Sequence, residues 1–296
     1  MVLKMIQIAN EFLTVTLSPQ GAELQSVKGA VSGLEYLWQA DPKVWGRHAP
    51  VLFPFVGRSK NDQYTYQGKT YPMGQHGFAR DRQFEVESQT DTAVTFLLKS
   101  DEESLKIYPF EFELRVSYQV NDTHLKVGYD VKNTAQSGPM YFSVGGHPGF
   151  KVPLTDDTQF EDYFLDYRPQ KSRVKIPLQG AFINLNERTL APTDVATDIN
   201  HPLFKEDALI YELKGQENKF SIRSEKTDHA ISLKVSGAPF IGVWSPYPTE
   251  GELVCLEPWW GIADDVDASG ELSEKFGVNQ LAPNEEFNAS YEITVK

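Results

Sequence analysis

Two short segments hold residue types able to move protons. The first is Gly145-Gly146-His147-Pro148-Gly149-Phe150, a histidine set among three glycines and a proline. Glycines lack the side chains that keep a ligand from the backbone, and Pro148 is expected to stiffen the turn that presents the ring. The second is Leu256-Glu257-Pro258-Trp259-Trp260-Gly261, one acid beside two tryptophans. An imidazole can give a proton and a carboxylate can take one, so the pair suffices for acid–base chemistry if the fold brings them together.

Glu257 follows the apolar run Val254-Cys255-Leu256. A carboxylate in such a segment is costly to bury unless it is paired or used. An ion pair with an arginine is the structural reading; catalysis is the functional one. The tryptophans fit ordinary packing, but aromatic faces also stack on the C–H faces of sugars, so the combination leans towards carbohydrate.

Of the six histidines, none forms HxH or HExxH, which gives a metal little support. His48, His124, His201 and His229 read as structural. His76 stands apart in Gly74-Gln75-His76-Gly77-Phe78-Ala79-Arg80, either as a turn histidine tied to the backbone or as a site residue. Arg58 emerges from the apolar run Phe53-Pro54-Phe55-Val56-Gly57 and could hold a hydroxyl or phosphate with its planar fork. Asp207 opens the apolar stretch Ala208-Leu209-Ile210 and could accept sugar hydroxyl protons, although alone it reads as a solvated turn acid.

The elements that must position these groups are strands. Phe112, Leu114, Val116 and Tyr118 alternate with polar residues, and Leu125, Val127, Tyr129 and Val131 repeat the pattern across Asn121-Asp122. This predicts a β-hairpin with one buried face. Ile231, Leu233 and Val235 alternate likewise, as do Tyr291, Ile293 and Val295, while Val94–Leu98 is a more continuous strand. Ser100–Lys106 predicts one or two helical turns, with Ser100 as N-cap and Pro109 as stop. No repeat, low-complexity tract or linker divides the chain. The expectation is an all-β protein, residues 1–296 forming a single antiparallel domain with long functional loops.

Composition narrows the class further. The chain has 296 residues, 40% of them hydrophobic, enough for a sizeable core. Its formal charge of −13 argues against nucleic acid and anionic membranes as partners. Cys255 is the only cysteine, so there is neither an intramolecular disulfide nor a CxxC metal motif. No secretory signal or bilayer-length apolar run is apparent, and a soluble cytoplasmic protein is the simplest reading.

In order, these segments resemble the aldose 1-epimerase (galactose mutarotase) superfamily, and more closely its galactose mutarotase-like, LacX-type branch. The resemblance starts at Leu17-Ser18-Pro19-Gln20-Gly21-Ala22-Glu23-Leu24 and Tyr36-Leu37-Trp38-Gln39. It continues through Pro50-Val51-Leu52-Phe53-Pro54 and both histidine segments to Glu257-Pro258-Trp259-Trp260-Gly261-Ile262-Ala263-Asp264. It implies a β-supersandwich without metal or organic cofactor. It further implies Glu257 as general base, His147 as general acid and His76 as a second histidine polarising or binding the ring oxygen. Arg58 and Asp207 become substrate-binding positions and Trp244 an aromatic stacking near the sugar. Where characterised mutarotases carry an Asn-His-Ser/Thr-Tyr-type segment and a His-Gly-Gly segment, this chain has Gly146-His147-Pro148-Gly149 and His76-Gly77-Phe78. Acid and base are retained; the groups flanking them differ.

The implied reaction is the interconversion of hexose anomers. Glu257 would take the O1 proton while His147 protonates the ring oxygen; rotation about C1–C2 and closure give the other anomer. With unperturbed values of about 4.3 and about 6.5, and a carboxylate favouring the imidazolium, these protonation states are expected to need little tuning. One alternative is a hexose-6-phosphate 1-epimerase, in which Arg80 and Arg58, with Lys60 and Arg82 nearby, hold the phosphate. Another is a non-catalytic carbohydrate-binding protein. A glycoside hydrolase would need two carboxylates, with Asp264 or Asp265 as the only neighbouring partner for Glu257.

Overall fold

The computed structural model describes residues 4–296, and every strand pair of its sheets is antiparallel. A nine-stranded sheet contains the expected hairpin, Phe112–Asn121 and His124–Asn133, with Asp122 in the left-handed region at the turn. Leu125 opposes Val120 and Val131 opposes Leu114, so the alternating apolar residues share one face, and all of them are buried. Glu286–Val295, Ile231–Ser236, Asn218–Ser224, Tyr163–Arg168 and Thr197–Asp198 extend this sheet on one side, Ala93–Lys99 and Glu85–Gln89 on the other. The alternations at Ile231–Val235 and Tyr291–Val295 are thus strands as expected.

The one short α-helix, Glu102–Ile107, starts a residue later than expected. Asp101, not Ser100, caps it by accepting the Ser104 N–H at 2.6 Å. Ser100 instead accepts the Phe112 N–H at the start of the next strand. A carboxylate at the N-cap gains from the helix dipole as well as from the bond, so Asp101 is the better cap.

The second large sheet has eight strands. Its main path is Thr189–Ala191, Arg173–Ile176, Leu209–Glu212, Phe240–Trp244, Leu253–Trp260, Val144–Gly146 and Val51–Leu52, with Gly149–Lys151 also pairing with Leu253–Trp260. The Leu253–Trp260 strand is buried along its whole length, because it is central and covered on both faces. Val254, Leu256 and Trp260 join the large core cluster, together with residues of the nine-stranded sheet and of the N-terminal three-stranded sheet. Trp259 packs on the opposite face with Leu52, Ile210, Phe240 and Ile262. Cys255 and Glu257 share that second face, since alternate residues of a strand point the same way.

Candidate active site

The register of the eight-stranded sheet brings His147 to Glu257. Gly145 opposes Trp259 and Gly149 opposes Cys255 on the same strand. Carried through, that register sets His147 directly across from Glu257. The pairing with this strand lapses only over Gly146–Pro148, and Pro148 has no N–H to contribute to a ladder. His147 Nε2 lies 3.2 Å from Glu257 Oε2.

The three glycines around His147 do not make room for a ligand. A side chain at Gly145 would meet the Trp259 ring, one at Gly146 the hydroxyls of Tyr291 and Tyr129, and one at Gly149 the Trp45 ring. Protein aromatics already fill the space, so these glycines allow the sheet to pack rather than a ligand to approach. Gly242, opposite Glu257, plays the same part for Trp259.

A cleft of about 340 Å³ opens over this face, within the size range of small-molecule sites. Ala208, Ile210, Trp244, Glu257, Trp259 and His147 contribute from the sheet and its margins; Trp45, Gly57, Gln75, His76, Arg80, Leu178, Ala181 and Ala263 complete the walls. Trp45 stacks on the His147 imidazole with centroids 4.9 Å apart and planes 27° from parallel. Trp244 meets the same imidazole edge-on at 5.7 Å. Trp45 is not among the residues the sequence marks out for the site; a tryptophan in the polar turn segment Asp41–Arg47 is the signal it offers.

His76 is held by the backbone. Its N–H donates to the Gly57 carbonyl at 2.8 Å, and its Nδ1 accepts the Gly57 N–H at 3.1 Å. Accepting at Nδ1 places the neutral ring's proton on Nε2. Burial lowers the His76 pKa well below its ordinary value, and His147, Arg80 and Arg58 push it the same way. His76 is therefore a neutral donor. Its own φ is +68°, and at Gly77, with φ +71°, a Cβ would run into the Phe53 carbonyl. Glycine is required there for the loop to turn back over the cleft.

Burial also sets the charge of the central pair, contrary to the expectation that little tuning is needed. It pushes Glu257 well above the carboxylate range, reinforced by Asp207; Trp259 acts in the opposite direction without closing a hydrogen bond. His147 is driven down to about 3 by burial, against a backbone contact that favours its cation, with Arg80 lowering it further. The pair is thus a carboxylic acid against a neutral imidazole. That state and the ion pair differ by one proton moved along the 3.2 Å contact.

Asp207 and Arg80 also line the cleft. Asp207 has φ +68° and its carboxylate accepts the Ala208 N–H at 2.8 Å. The desolvating walls raise its pKa, while Ala208 and Trp244 favour its anion. Arg80 donates to the Gln75 carbonyl at 2.7 Å, whereas its Nε is buried without a partner. Its nearest carboxylate, Asp81, stands 3.9 Å away. Arg58 has its guanidinium 3.4 Å from the Gln75 side chain and 3.6 Å from Asp62, and it is not among the residues lining the cleft.

Asp264, Asp265 and three of the other histidines have other contacts. Asp264 accepts the Lys60 N–H and pairs with the buried Lys275; Asp265 accepts the N–H groups of Leu185 and Asp267. Neither lines the cleft, so the second carboxylate beside Glu257 is Asp207. His201 stacks on Phe160, His229 contacts the Lys296 carbonyl, and His124 contacts Thr294. No arginine pairs with Glu257 among the described residues; its partner is His147.

Comparison with known proteins shows the family and the fold. The family model described as aldose 1-epimerase matches residues 4–294. Protein LacX of Lactococcus lactis subsp. lactis is 31% identical, over 98% of this chain and 99% of its own. The structure of a galactose mutarotase related enzyme from Lactobacillus acidophilus is 49% identical with a TM-score of 0.97, covering 99% of this chain and 97% of that one. A galactose mutarotase-like protein from Lactobacillus casei ATCC 334 is 34% identical with a TM-score of 0.91, covering 99% of this chain and 100% of that one. The all-β fold is accordingly that of the galactose mutarotase-like proteins.

Proposed function

The chain belongs to the aldose 1-epimerase family, and on that premise we propose that it interconverts the α and β anomers of a hexose with Glu257 and His147 as its acid–base pair. The contact between His147 Nε2 and Glu257 Oε2 on the floor of the cleft carries this reading. Anomerisation exchanges protons at two oxygens bonded to one carbon. An acid and a base that serve both must therefore stand side by side, as these two do.

Glu257 takes the proton from the O1 hydroxyl while His147 delivers one to the ring oxygen, and the C1–O5 bond breaks to give the open aldehyde. Rotation about C1–C2 presents the other carbonyl face, and reversed proton transfers close the ring as the other anomer. The pair needs one proton between its members, which is the count that burial favours. His76, a fixed neutral donor, supports the ring oxygen. Asp207 accepts a sugar hydroxyl, and Trp244 and Trp45 offer apolar faces to the ring. Arg58 acts at one remove, through Gln75. The two large sheets share one core, which supports reading the chain as a single domain.

A second reading places a phosphate on the sugar. Arg80 favours it, since a cleft-lining guanidinium with a buried, unpartnered Nε is suited to an anion. No helix among the described residues is long and apolar enough to cross a membrane. The discriminating experiment is an anomer-exchange assay by NMR over free aldoses and their 6-phosphates. Acceleration beyond the buffer rate supports catalysis, and the preferred member identifies the substrate. Sugar binding with no acceleration for any member would make the chain a carbohydrate-binding protein.

A further inference from the structure

The thiol of Cys255 takes no part in this chemistry, yet it lies beside both groups that do. The ligand atoms of His147, Cys255 and Glu257 all fall within 4.8 Å of one another, and all three residues are buried. The cause is the register already described. Cys255 and Glu257 are two residues apart on one strand and share a face, and His147 stands across from Glu257. We propose that His147, Cys255 and Glu257 form a binding site for a thiophilic divalent cation, Zn2+ above all, whose occupation blocks proton transfer in the cleft.

The donor set selects the ion. One thiolate sulfur, one imidazole nitrogen and one carboxylate oxygen suit Zn2+ and its borderline neighbours, whereas Mg2+ and Ca2+ take oxygen donors. Bond lengths of roughly 2.0–2.3 Å place the donors of a tetrahedral zinc site about 3–4 Å apart, so small side-chain rotations close this cluster. Three protein ligands leave the fourth position free on the cleft side, where His147 and Glu257 are reached from solvent.

Binding is balanced by proton release. Cys255 gives up its thiol proton, and the proton held by the His147–Glu257 pair leaves with it. The metal then occupies the Nε2 lone pair and the carboxylate that would otherwise handle the sugar protons. The ion is an inhibitor and not a resident cofactor. His147 Nδ1 has no hydrogen-bond partner, so the second-shell contact that orients most zinc-bound imidazoles is missing. That predicts reversible binding.

The site itself is tested without activity. The chain is titrated with Co2+ as a spectroscopic probe, and near-ultraviolet thiolate-to-cobalt absorption is followed in wild type, Cys255→Ser and Cys255→Ala, with thermal melts confirming that both variants fold. The expected result is absorption saturating at one equivalent in wild type and absent from both variants. Zn2+ should also bind the variants at least about ten-fold more weakly by calorimetry. Absorption that never develops, or equal affinity in all three proteins, would overturn the site. The inhibitory consequence rests on the acid–base reading: Zn2+ should abolish anomer exchange in wild type at concentrations that spare Cys255→Ser, with EDTA restoring it. Cobalt–thiolate absorption in a chain without anomer exchange would support the metal site while removing the acid–base reading.

Discussion

His147 and Glu257 are cross-strand neighbours in one antiparallel register, and their side chains meet at 3.2 Å under a stacked tryptophan. Two far-separated segments converge because the short strands on either side of His147, Val144–Gly146 and Gly149–Lys151, both pair with Leu253–Trp260, the strand that carries Glu257. The sheet thereby fixes the spacing of the pair, and the surrounding aromatics fix its dielectric.

The pH dependence of catalysis follows from that burial. Activity requires one proton on the pair; a second proton goes to His147 only near pH 3, and the shared proton leaves only well above the carboxylate range. After subtraction of the buffer-catalysed rate, kcat/KM for anomer exchange should be flat through pH 6.5. An acid limb centred near the ordinary histidine value would contradict the neutral pair.

Stability should respond to Glu257 with a definite sign. Its pKa is raised on folding, so above the unfolded value of about 4.3 the unfolded chain loses its proton first and gains relative to the native state. The native protein loses up to about 1.4 kcal/mol per pH unit until the folded pKa is reached. Glu257→Gln does not titrate. Its melting temperature should exceed that of wild type by a margin that widens from pH 5 to pH 8, and a constant or shrinking margin would argue against the raised pKa.

Trp45 desolvates His147 by covering its face. Trp45→Ala should let water reach the imidazole and raise its pKa towards 6.5. The acid limb of kcat/KM should then move up in pH, alongside a fall in the plateau. A lower plateau with no movement of the limb would leave Trp45 as a sugar-stacking residue only.

Arg80 decides between free and phosphorylated substrates. If the cleft takes a 6-phosphate, Arg80→Ala should raise KM for the phosphorylated sugar at least about ten-fold and leave the free sugar nearly unchanged, reflecting the loss of a charge-assisted contact. Equal effects on both sugars would assign Arg80 to the walls of the cleft.

The strands were legible in the sequence wherever one face meets the core and the other meets water. Phe112–Tyr118, Leu125–Val131 and Tyr291–Val295 alternate for that reason. Glu257 was conspicuous as an acid in an apolar strand, and it is indeed buried. Its meeting with His147 was not legible, since strand pairing between distant segments leaves no local trace. The glycines beside His147 misled because a missing side chain looks the same whether a ligand or a tryptophan takes the space. Trp45 escaped notice for a related reason: its partner is the imidazole of a residue far along the chain. Arg58 reaches the Gln75 side chain at 3.4 Å and is not among the residues lining the cleft, a relation that no local pattern in the sequence signals.

The central claim is tested most directly by Glu257→Gln. Anomer exchange is measured by NMR on the best substrate of the aldose panel, with sugar affinity measured in parallel by calorimetry. The account predicts a folded protein that binds the sugar within a few-fold of wild type and loses at least about a hundred-fold in kcat, the scale of a lost general base. A variant that retains the wild-type exchange rate would contradict it.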